Sequence, residues 1–348
     1  MTIQENTPLA PLTTLQVGGP ARYFTEAATE EEVLDAIEFA RTKESPLFIL
    51  GGGSNLVVAD SGWPGLVLRI AIGGITTQTE ERTVSFTVGA GVNWDDFVAH
   101  AVASNCAGVE CLSGIPGSVG GTPVQNVGAY GQEVSETIES VRALDLKKSR
   151  IVTLPKPACG FRYRASIFNT ADRGRYVILR VSYRLRLGAT PCLKYADLEE
   201  QFSDPSAPPS LTDVRQAVRQ IRRSKGMLIV EGDPNCRSAG SFFKNPVLRQ
   251  LQFRNLEDLA NQRGLEVLNY RALGARRKVS AAWLVEHSGF SKGYTLGPAG
   301  ISRQHALALI NLGDARASDI VLLKDKIQQE VQETWGILLE PEPVFVGF

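Results

Sequence analysis

The sequence predicts an α+β protein with two or three domains. At 348 residues, the chain is longer than a single small hydrophobic core would need. Its 43% hydrophobic and 21% charged residues are ordinary for a water-soluble globular protein. Strand and helix patterns both occur before residue 240, whereas helices separated by loops are predicted after it.

Composition argues against several classes of partner. Basic and acidic residues balance at 37 each, so we expect neither nucleic acid nor a membrane surface as partner. No apolar run approaches the length of about 18 residues that could span a bilayer, and the N-terminus lacks the features of a secretion signal. Five cysteines without a C-x-x-C spacing and three scattered histidines predict no disulfide framework, no metal site and a cytoplasmic protein.

The first half of the chain combines strands with two capped helices. Residues 29–40 predict a helix with a capping box formed by Thr29 and Glu32. The patterns of residue types predict strands at 46–50, 65–70 and 83–88. Asn93 is a good N-cap for a helix through residue 101.

The second half contains one clear strand and several helices. Residues 175–187 alternate and predict a strand, and residues 210–225 predict an amphipathic helix with a basic end. Helices are expected over 280–288, closed by Gly289, and over 318–335, closed by Gly336, before an extended C-terminus.

Two glycine-rich segments are candidates for ligand binding. The segment GGGSN follows a predicted strand, and its successive N–H groups could converge on phosphate, although a simple tight turn is an equal alternative. The segment SGIPGSVGGTPVQNVGAYG (113–131) has six glycines, and its two prolines exclude a regular helix or central strand. A long loop of this kind favours ligand binding over a structural Ω-loop. Neither segment has the Rossmann or P-loop spacing.

Three polar motifs could carry chemistry. In GFRYRAS, Arg162 and Arg164 would lie on one face of an extended segment and could bind a carboxylate, although a solvated strand face is favoured from this motif alone. The two glutamates of the C-terminal LEPE are either exposed acidic surface residues or the source of a general acid. In GSFFKNP, the phenylalanines fit a core strand, or the segment is a site floor that presents the Ser241 hydroxyl.

Together these motifs resemble the UDP-N-acetylenolpyruvoylglucosamine reductase (UDP-N-acetylmuramate dehydrogenase) family of flavoenzymes. The matching stretches follow one another along nearly the whole chain: 14–23, 51–58, 113–131, 159–168, 239–246, 278–293 and 339–342. Residues 193–198 resemble the tyrosine-bearing loop of one branch of this family, with Tyr195 as its tyrosine, although an ordinary loop tyrosine is the alternative.

The resemblance implies a fold and a domain order. It implies a vanillyl-alcohol-oxidase (PCMH) type of FAD-binding fold made of two α+β subdomains, residues 1–70 and 71–222, with the FAD-binding region at about 17–188. An α+β substrate-binding domain, residues 223–348, would follow, with the strand at 337–348 returning to the active-site cleft.

The resemblance also implies site residues. Arg164, Ser241 and Glu342 match catalytic positions: Ser241 as proton donor, Arg164 and Glu342 as the pair that stabilises charge. Non-covalent FAD would be bound by Gly51, Gly52, Gly53, Ser54, Asn55, Leu56, Gly114, Ile115, Pro116, Gly117, Ser118, Gly120, Gly121, Gln125, Asn126, Gly128, Ala129 and Ile178. The substrate would contact Tyr130, Tyr163, Tyr195, Lys225, Asn245 and His305, with a structural role for His305 as the alternative.

The implied reaction is the reduction of UDP-N-acetylglucosamine enolpyruvate to UDP-N-acetylmuramate in peptidoglycan synthesis. NADPH would be the co-substrate, with hydride passing from flavin N5 to the substrate's β-carbon and a proton from Ser241 to the α-carbon. A serine hydroxyl is a poor acid, so Lys225, Asn245 or Glu342 would have to polarise it. We expect a monomer. The alternatives are a flavin-dependent oxidase of the same superfamily and a UDP-sugar sensor without catalysis.

Overall fold

The computed structural model describes the chain from residue 1 to 348 except Pro205 and Leu273. It forms two compact units. The first contains residues 1–7, 21–53 and 64–228, and the second contains 8–20, 54–63 and 229–348. The predicted three-domain division stays a prediction. Within the described part of the chain, no helix is both long and apolar enough to cross a membrane.

The strands and helices are short, and most strands are antiparallel. The strands are β1 (Gln4–Pro8), β2 (Pro20–Ala27), β3 (Leu47–Leu50), β4 (Leu56–Val58), β5 (Trp63–Ile70), β6 (Ile75–Thr79), β7 (Thr83–Gly89), β8 (Cys106–Ala107), β9 (Gly128–Ala129), β10 (Gln132–Glu133), β11 (Ile138–Asp145), β12 (Arg150–Pro155), β13 (Tyr176–Leu187), β14 (Val247–Leu248), β15 (Asn269–Arg271), β16 (Arg277–Val279), β17 (Thr295–Leu296), β18 (Ala299–Ile301), β19 (Leu309–Asn311) and β20 (Val344–Val346). The helices are α1 (Glu30–Thr42), α2 (Trp94–Ala103), α3 (Ala196–Gln201), α4 (Leu211–Ser224), α5 (Gln250–Asn261), α6 (Ala281–Glu286) and α7 (Ala317–Trp335).

The described residues of the first unit form two larger sheets and the small β9–β10 hairpin. Strands β1, β2, β5 and β3 form one sheet in that order, with β3 and β5 parallel. The other sheet has the order β12-β11-β13-β7-β6, and β8 pairs with the end of β13. Neighbours in this second sheet are antiparallel. Strand β13 is therefore the central strand on which the rest of this sheet is built.

One apolar core joins these sheets to helices α1 and α2. It includes Ile37 from α1, Leu66 from β5, Phe97 from α2 and Tyr183 from β13. The rings of Phe97 and Tyr183 lie 4.9 Å apart, and Tyr183 is fully buried. Burial of such large rings is a major source of stabilisation, worth roughly 1.5–3 kcal/mol per side chain by area.

The second unit packs short sheets against α5, α6 and α7. Strands β14, β16 and β15 form one antiparallel sheet, β17, β18 and β19 form another, and β20 lies parallel to β4. Helix α7 buries one stripe of side chains, Ala317, Ile320, Leu323, Ile327, Val331 and Trp335, at the spacing of an amphipathic helix. It ends at Gly336, whose φ of 69° is the left-handed conformation of a C-cap.

The capped helices and the long strand of the first unit confirm their predictions. The Thr29 side chain accepts the Glu32 N–H at the start of α1, and the Asn93 side chain caps α2. The expectation of only helices and loops between residue 240 and the extended C-terminus is wrong, because the described residues there also form six short strands, β14–β19. Strands of two or three residues offer too few positions for alternation to be recognised.

Candidate active site

Two backbone segments of the first unit touch at the end of β3. A Cβ added to Gly52 would lie 2.5 Å from the Cα of Gly117, and one added to Gly51 would lie 2.8 Å from the Ser118 Oγ. Real Cβ atoms do not approach backbone this closely. Glycine at position 52 is therefore required for the turn at 51–53 to lie against the loop at 113–131, called the glycine loop below.

Ser118 adds an unused polar group at this contact. Its Oγ is buried and has no hydrogen-bond partner among the described residues. An unpaired buried hydroxyl costs free energy, about 1–3 kcal/mol, unless a ligand or water satisfies it. Backbone packed without side chains beside a spare hydroxyl suits a phosphate-bearing cofactor. These residues therefore fit the diphosphate of FAD.

The glycine loop begins at Gly114, whose peptide group is held on both sides. Asp95 of α2 accepts the Gly114 N–H at 2.6 Å, and Arg222 of α4 donates to the Gly114 carbonyl at 3.0 Å. The Asp95 carboxylate also binds Arg215 at 2.5 and 3.0 Å and is paired with Arg219. Gly114 has a left-handed φ of 72°. The interactions of Asp95 and Arg222 with Gly114, called the clamp below, hold this conformation at the start of the loop.

Burial and charge act against each other in the clamp. Burial alone would raise the pKa of Asp95, but the hydrogen bonds from Arg215 and from the Gly114 N–H outweigh it, and that pKa is lowered. Arg222 is almost fully buried, which lowers its pKa, while interaction with Tyr130 opposes the change. The loop is thus anchored by charges that are withdrawn from water.

The far end of the glycine loop is anchored by side chains. Thr122 shares a hydrogen bond of 2.7 Å with the buried Tyr183 hydroxyl. Asn126 donates to Glu133 at 2.8 Å and to the Arg162 carbonyl at 3.1 Å, and accepts the Ser135 N–H. The Asn126 side chain therefore stabilises the loop itself, and its predicted contact with the cofactor stays a prediction.

Arg164 does not lie on an extended segment, which corrects the expectation for residues 160–166. Arg162 and Ala165 exchange backbone hydrogen bonds of 2.8 and 3.0 Å, so residues 162–165 form a tight turn. Arg164 has a φ of 52° at this turn, and it donates to the Gly128 carbonyl at 2.7 Å. Its guanidinium lies 5.3 Å from the half-exposed Tyr163 ring. The turn presents Arg164 to the glycine loop.

Tyr130, Tyr195 and Lys225 form one cluster in the first unit. Tyr130 occupies the tip of the β9–β10 hairpin with a φ of 48°, and its ring meets that of Tyr195 edge to face at 5.0 Å. Lys225 lies 3.4 Å from the Tyr195 hydroxyl and 3.1 Å from Asp197. Burial would lower the pKa of Lys225, but Asp197 and the tyrosines raise it overall. Tyr195 precedes helix α3, so the stretch expected to be a loop is partly helical.

Three of the eight described non-glycine residues with a positive φ lie at these positions. Asn126, Tyr130 and Arg164 all have positive φ values, between 47° and 52°. Non-glycine residues in this region are uncommon and are enriched at functional sites, where the surrounding contacts hold them. All three are residues that the sequence predicts to belong to the site.

In the second unit, the C-terminal segment lies beside the segment that contains Ser241. The Glu342 N–H donates to the Phe242 carbonyl at 2.8 Å, and the Lys244 N–H donates to the Glu340 carbonyl at 2.9 Å. The Asn55 side chain donates to the Glu342 carbonyl at 3.2 Å, next to the pairing of β20 with β4. Phe242 and Phe243 are buried, which confirms their core role. Glu342 and Ser241 are thereby held on neighbouring extended segments.

Asn245 and His305 have different surroundings within the second unit. The Asn245 side-chain carbonyl accepts the Ala281 N–H at 2.8 Å and so anchors the start of α6. His305 Nε2 lies 3.4 Å from the Ser241 Oγ. The structure therefore brings His305 to the predicted proton donor, an interaction that the sequence does not reveal.

The remaining predicted residues occupy three places. Ser54, Asn55 and Leu56 lead into β4 in the second unit, and Ile178 is a buried residue of β13 in the first. Ile115, Pro116, Gly120, Gly121, Gln125 and Ala129 lie in or next to the glycine loop. No cluster of three or more metal-binding side chains occurs among the residues that the structure describes.

Comparisons with known proteins agree with this geometry. An FAD binding domain matches residues 21–155, and the C-terminal domain of UDP-N-acetylenolpyruvoylglucosamine reductase matches residues 233–346. The reductases of that name from Thermobifida fusca and Streptomyces avermitilis are each 44% identical to this chain over 98% of it, covering 97% and 94% of their own lengths. The crystal structure of the Thermus caldophilus enzyme covers 99% of this chain and 100% of its own, with 27% identity and a TM-score of 0.67.

The fold and the glycine loop thus define an FAD-containing oxidoreductase, and the predicted fold class is confirmed. The chain belongs to the UDP-N-acetylenolpyruvoylglucosamine reductase family.

A pair of glycine substitutions tests the contact between the turn and the glycine loop. Gly52→Ala should lose most of its bound flavin, because the new Cβ meets the Gly117 backbone. Gly73→Ala should retain it, because Gly73 is exposed and a Cβ there meets nothing within 4 Å. Flavin absorbance per polypeptide, near about 450 nm, measures the difference. Equal flavin content in the two variants would contradict the proposed packing.

The clamp at Gly114 predicts a pH-dependent contribution to stability. Asp95→Asn should lower the free energy of unfolding by about 1–3 kcal/mol at neutral pH, because it removes a charge paired with two arginines. Because folding lowers the pKa of Asp95, its charge stabilises the fold fully only above about pH 4. The difference in unfolding free energy between Asp95→Asn and the wild type should therefore be largest above that pH and should shrink as the pH falls below it.

The control for this prediction is Asp96→Asn, which removes the same charge from an exposed side chain in the same helical turn. It should change the unfolding free energy by less than about 0.5 kcal/mol. Denaturant titrations at several pH values measure both variants. A similar loss for Asp96→Asn would assign the effect to the helix dipole.

Proposed function

We propose that this protein reduces UDP-N-acetylglucosamine enolpyruvate to UDP-N-acetylmuramate with NADPH, a step of peptidoglycan synthesis in the cytoplasm. The observation that carries the proposal is the 44% identity, over nearly the whole chain, to reductases named for this substrate. The protein acts as a monomer. Within each unit, the side chains support the chemistry as follows: those around Gly114 and Arg164 in the first unit, and those around Ser241 in the second.

The cofactor is held by backbone more than by side chains. The turn at 51–53 and the glycine loop supply N–H groups, and the Ser118 hydroxyl supplies a donor that no described residue uses. Backbone donors suit the diphosphate because they approach closely and lose little conformational freedom. When bound, FAD supplies the hydride at its N5 atom, because no amino-acid side chain can provide one.

The substrate's carboxylate needs stabilisation while the double bond is reduced. Negative charge builds up on this carboxylate as hydride adds to the β-carbon, so a fixed positive group lowers the barrier. Arg164 fills this role, because its turn and its bond to Gly128 hold the guanidinium in place. Glu342 assists as a neutral acid or through water, and the pairing of its backbone with Phe242 fixes its position.

Ser241 supplies the proton to the α-carbon. The segment that carries it is anchored by the buried Phe242 and Phe243 and by the hydrogen bond from the Phe242 N–H to the Leu307 carbonyl at 2.8 Å. A hydroxyl on an anchored segment can be placed accurately against the reacting carbon, which general acid catalysis requires.

The anionic diphosphate of the substrate is matched by the cluster around Lys225. The raised pKa of Lys225 keeps its ammonium group charged, and Tyr130 and Tyr195 offer hydroxyls and ring faces for the nucleotide. Tyr163 and Asn245 complete the set of substrate contacts that we propose.

The cofactor proposal predicts that the flavin is released by acid. Denaturation with trichloroacetic acid should leave the yellow chromophore in the supernatant, since contacts from backbone and hydroxyl groups are lost on unfolding. The absorption spectra of supernatant and pellet, near about 450 nm, measure the partition. Colour retained in the pellet would show a covalent flavin and favour the oxidase alternative.

The role of Ser241 predicts that the two half-reactions respond differently to Ser241→Ala. Flavin reduction by NADPH should keep its wild-type rate, because it needs no proton from this side chain. Flavin reoxidation by the enolpyruvyl substrate should slow by about 10²–10⁴-fold, the usual contribution of a general acid. Stopped-flow absorbance follows each half-reaction separately.

The matched control is Ser291→Ala, which removes an exposed hydroxyl in the same unit and should leave both rates unchanged. Flavin content and thermal unfolding are measured first for both variants, so that misfolding is excluded. Equal slowing of the two half-reactions in Ser241→Ala would contradict a proton-donor role.

A further inference from the structure

The surroundings of Ser241 show which group acts on its hydroxyl. His305 Nε2 lies 3.4 Å from the Ser241 Oγ. The two segments are locked together one residue further on, where the Phe242 N–H donates to the Leu307 carbonyl at 2.8 Å. The separation between hydroxyl and imidazole is therefore set by main-chain pairing.

A second hydrogen bond determines the tautomer of His305. The Leu307 N–H donates to His305 Nδ1 at 3.1 Å, so Nδ1 must carry a lone pair. A neutral imidazole has one N–H group, which then resides on Nε2. The group that faces Ser241 is consequently a donor, and the serine oxygen is the acceptor.

We propose that His305 is a positioning residue for Ser241. Its Nε2–H group donates to the serine oxygen, which turns the O–H bond away from the imidazole and keeps the proton available for the substrate. This inference rests on the proposed function, in which Ser241 is the proton donor. It replaces the expectation that Lys225, Asn245 or Glu342 polarises the hydroxyl.

The chemistry of the proton transfer explains why such a donor is useful. When the serine O–H bond breaks and the α-carbon gains the C–H bond, the electron pair of the O–H bond stays on the oxygen. A hydrogen bond from Nε2–H stabilises this developing alkoxide, and a hydroxyl whose oxygen already accepts a hydrogen bond is a better donor. The serine oxygen regains its proton from water.

Two substitutions at His305 separate this role from that of a substrate contact. His305→Leu removes the donor, and His305→Gln retains a side-chain N–H group. His305→Leu should slow flavin reoxidation at saturating enolpyruvyl substrate by about tenfold, less than the ~10²–10³-fold of a close oxyanion donor, because 3.4 Å is long for a hydrogen bond. His305→Gln should recover most of the rate, and flavin reduction by NADPH should be unchanged in both.

The decisive measurement is the double variant Ser241→Ala with His305→Leu. If His305 acts only through the serine oxygen, the double variant reoxidises no more slowly than Ser241→Ala alone. Further slowing in the double variant, or an effect of His305→Leu that disappears at saturating substrate, would overturn the inference and assign His305 to substrate binding.

The same set of variants distinguishes this inference from the proposal on which it rests. Reoxidation at the wild-type rate in Ser241→Ala would overturn both. A slow Ser241→Ala variant combined with wild-type behaviour of His305→Leu would overturn only the role of His305. Full flavin content in each variant, measured before the kinetics, shows that the fold is retained.

Discussion

The contact between the backbones of Gly52 and Gly117 constrains much of the first unit. At a separation that leaves no room for a Cβ, the two segments need glycine, and they cannot pair as strands do. The glycine loop is held by backbone hydrogen bonds, such as that from the Gly120 N–H to the Ala90 carbonyl at 2.9 Å, and by side chains. Asp95 and Arg222 hold it at Gly114, and the Tyr183 hydroxyl holds it at Thr122. Those anchors come from α2, α4 and β13, so the irregular loop is as fixed as the regular elements around it.

The second unit reaches a similar result by different means. Its residues of interest lie on extended segments, and main-chain hydrogen bonds set their spacing. Pairing of 340–342 with 242–244 fixes Glu342, and the bond between Phe242 and Leu307 fixes His305 beside Ser241. A shift of one residue in either pairing would turn alternate side chains to the opposite face. Buried Phe242 and Phe243 oppose such a shift, which gives the two phenylalanines of GSFFKNP a function although they need not touch a ligand.

Predictions from the sequence succeeded where the determining interactions are local. Thr29 and Asn93 begin helices and Gly336 ends one through contacts with residues only a few positions away, so the local sequence is enough to identify them. The prediction failed for the segment around Arg164, because alternation of Arg162, Tyr163 and Arg164 resembles a strand while the chain forms a turn. The short strands β14–β19 were missed because two or three residues give no period.

The sequence by itself determined the family, the cofactor class and the order of the motifs, since each motif is a contiguous run whose residue types carry the signal. The tertiary structure alone decided which groups meet. Asp95 lies 19 positions before Gly114 and about 120 before its arginine partners, and Ser241 lies 64 positions before His305. Arg215, Arg219 and Arg222 lie on one face of α4, a spacing that the sequence shows. The sequence does not show that Asp95 is the partner of Arg215 and Arg219. Contacts between distant residues depend on how the chain is folded, and no local pattern encodes the tautomer of His305 or the anchor of Gly114.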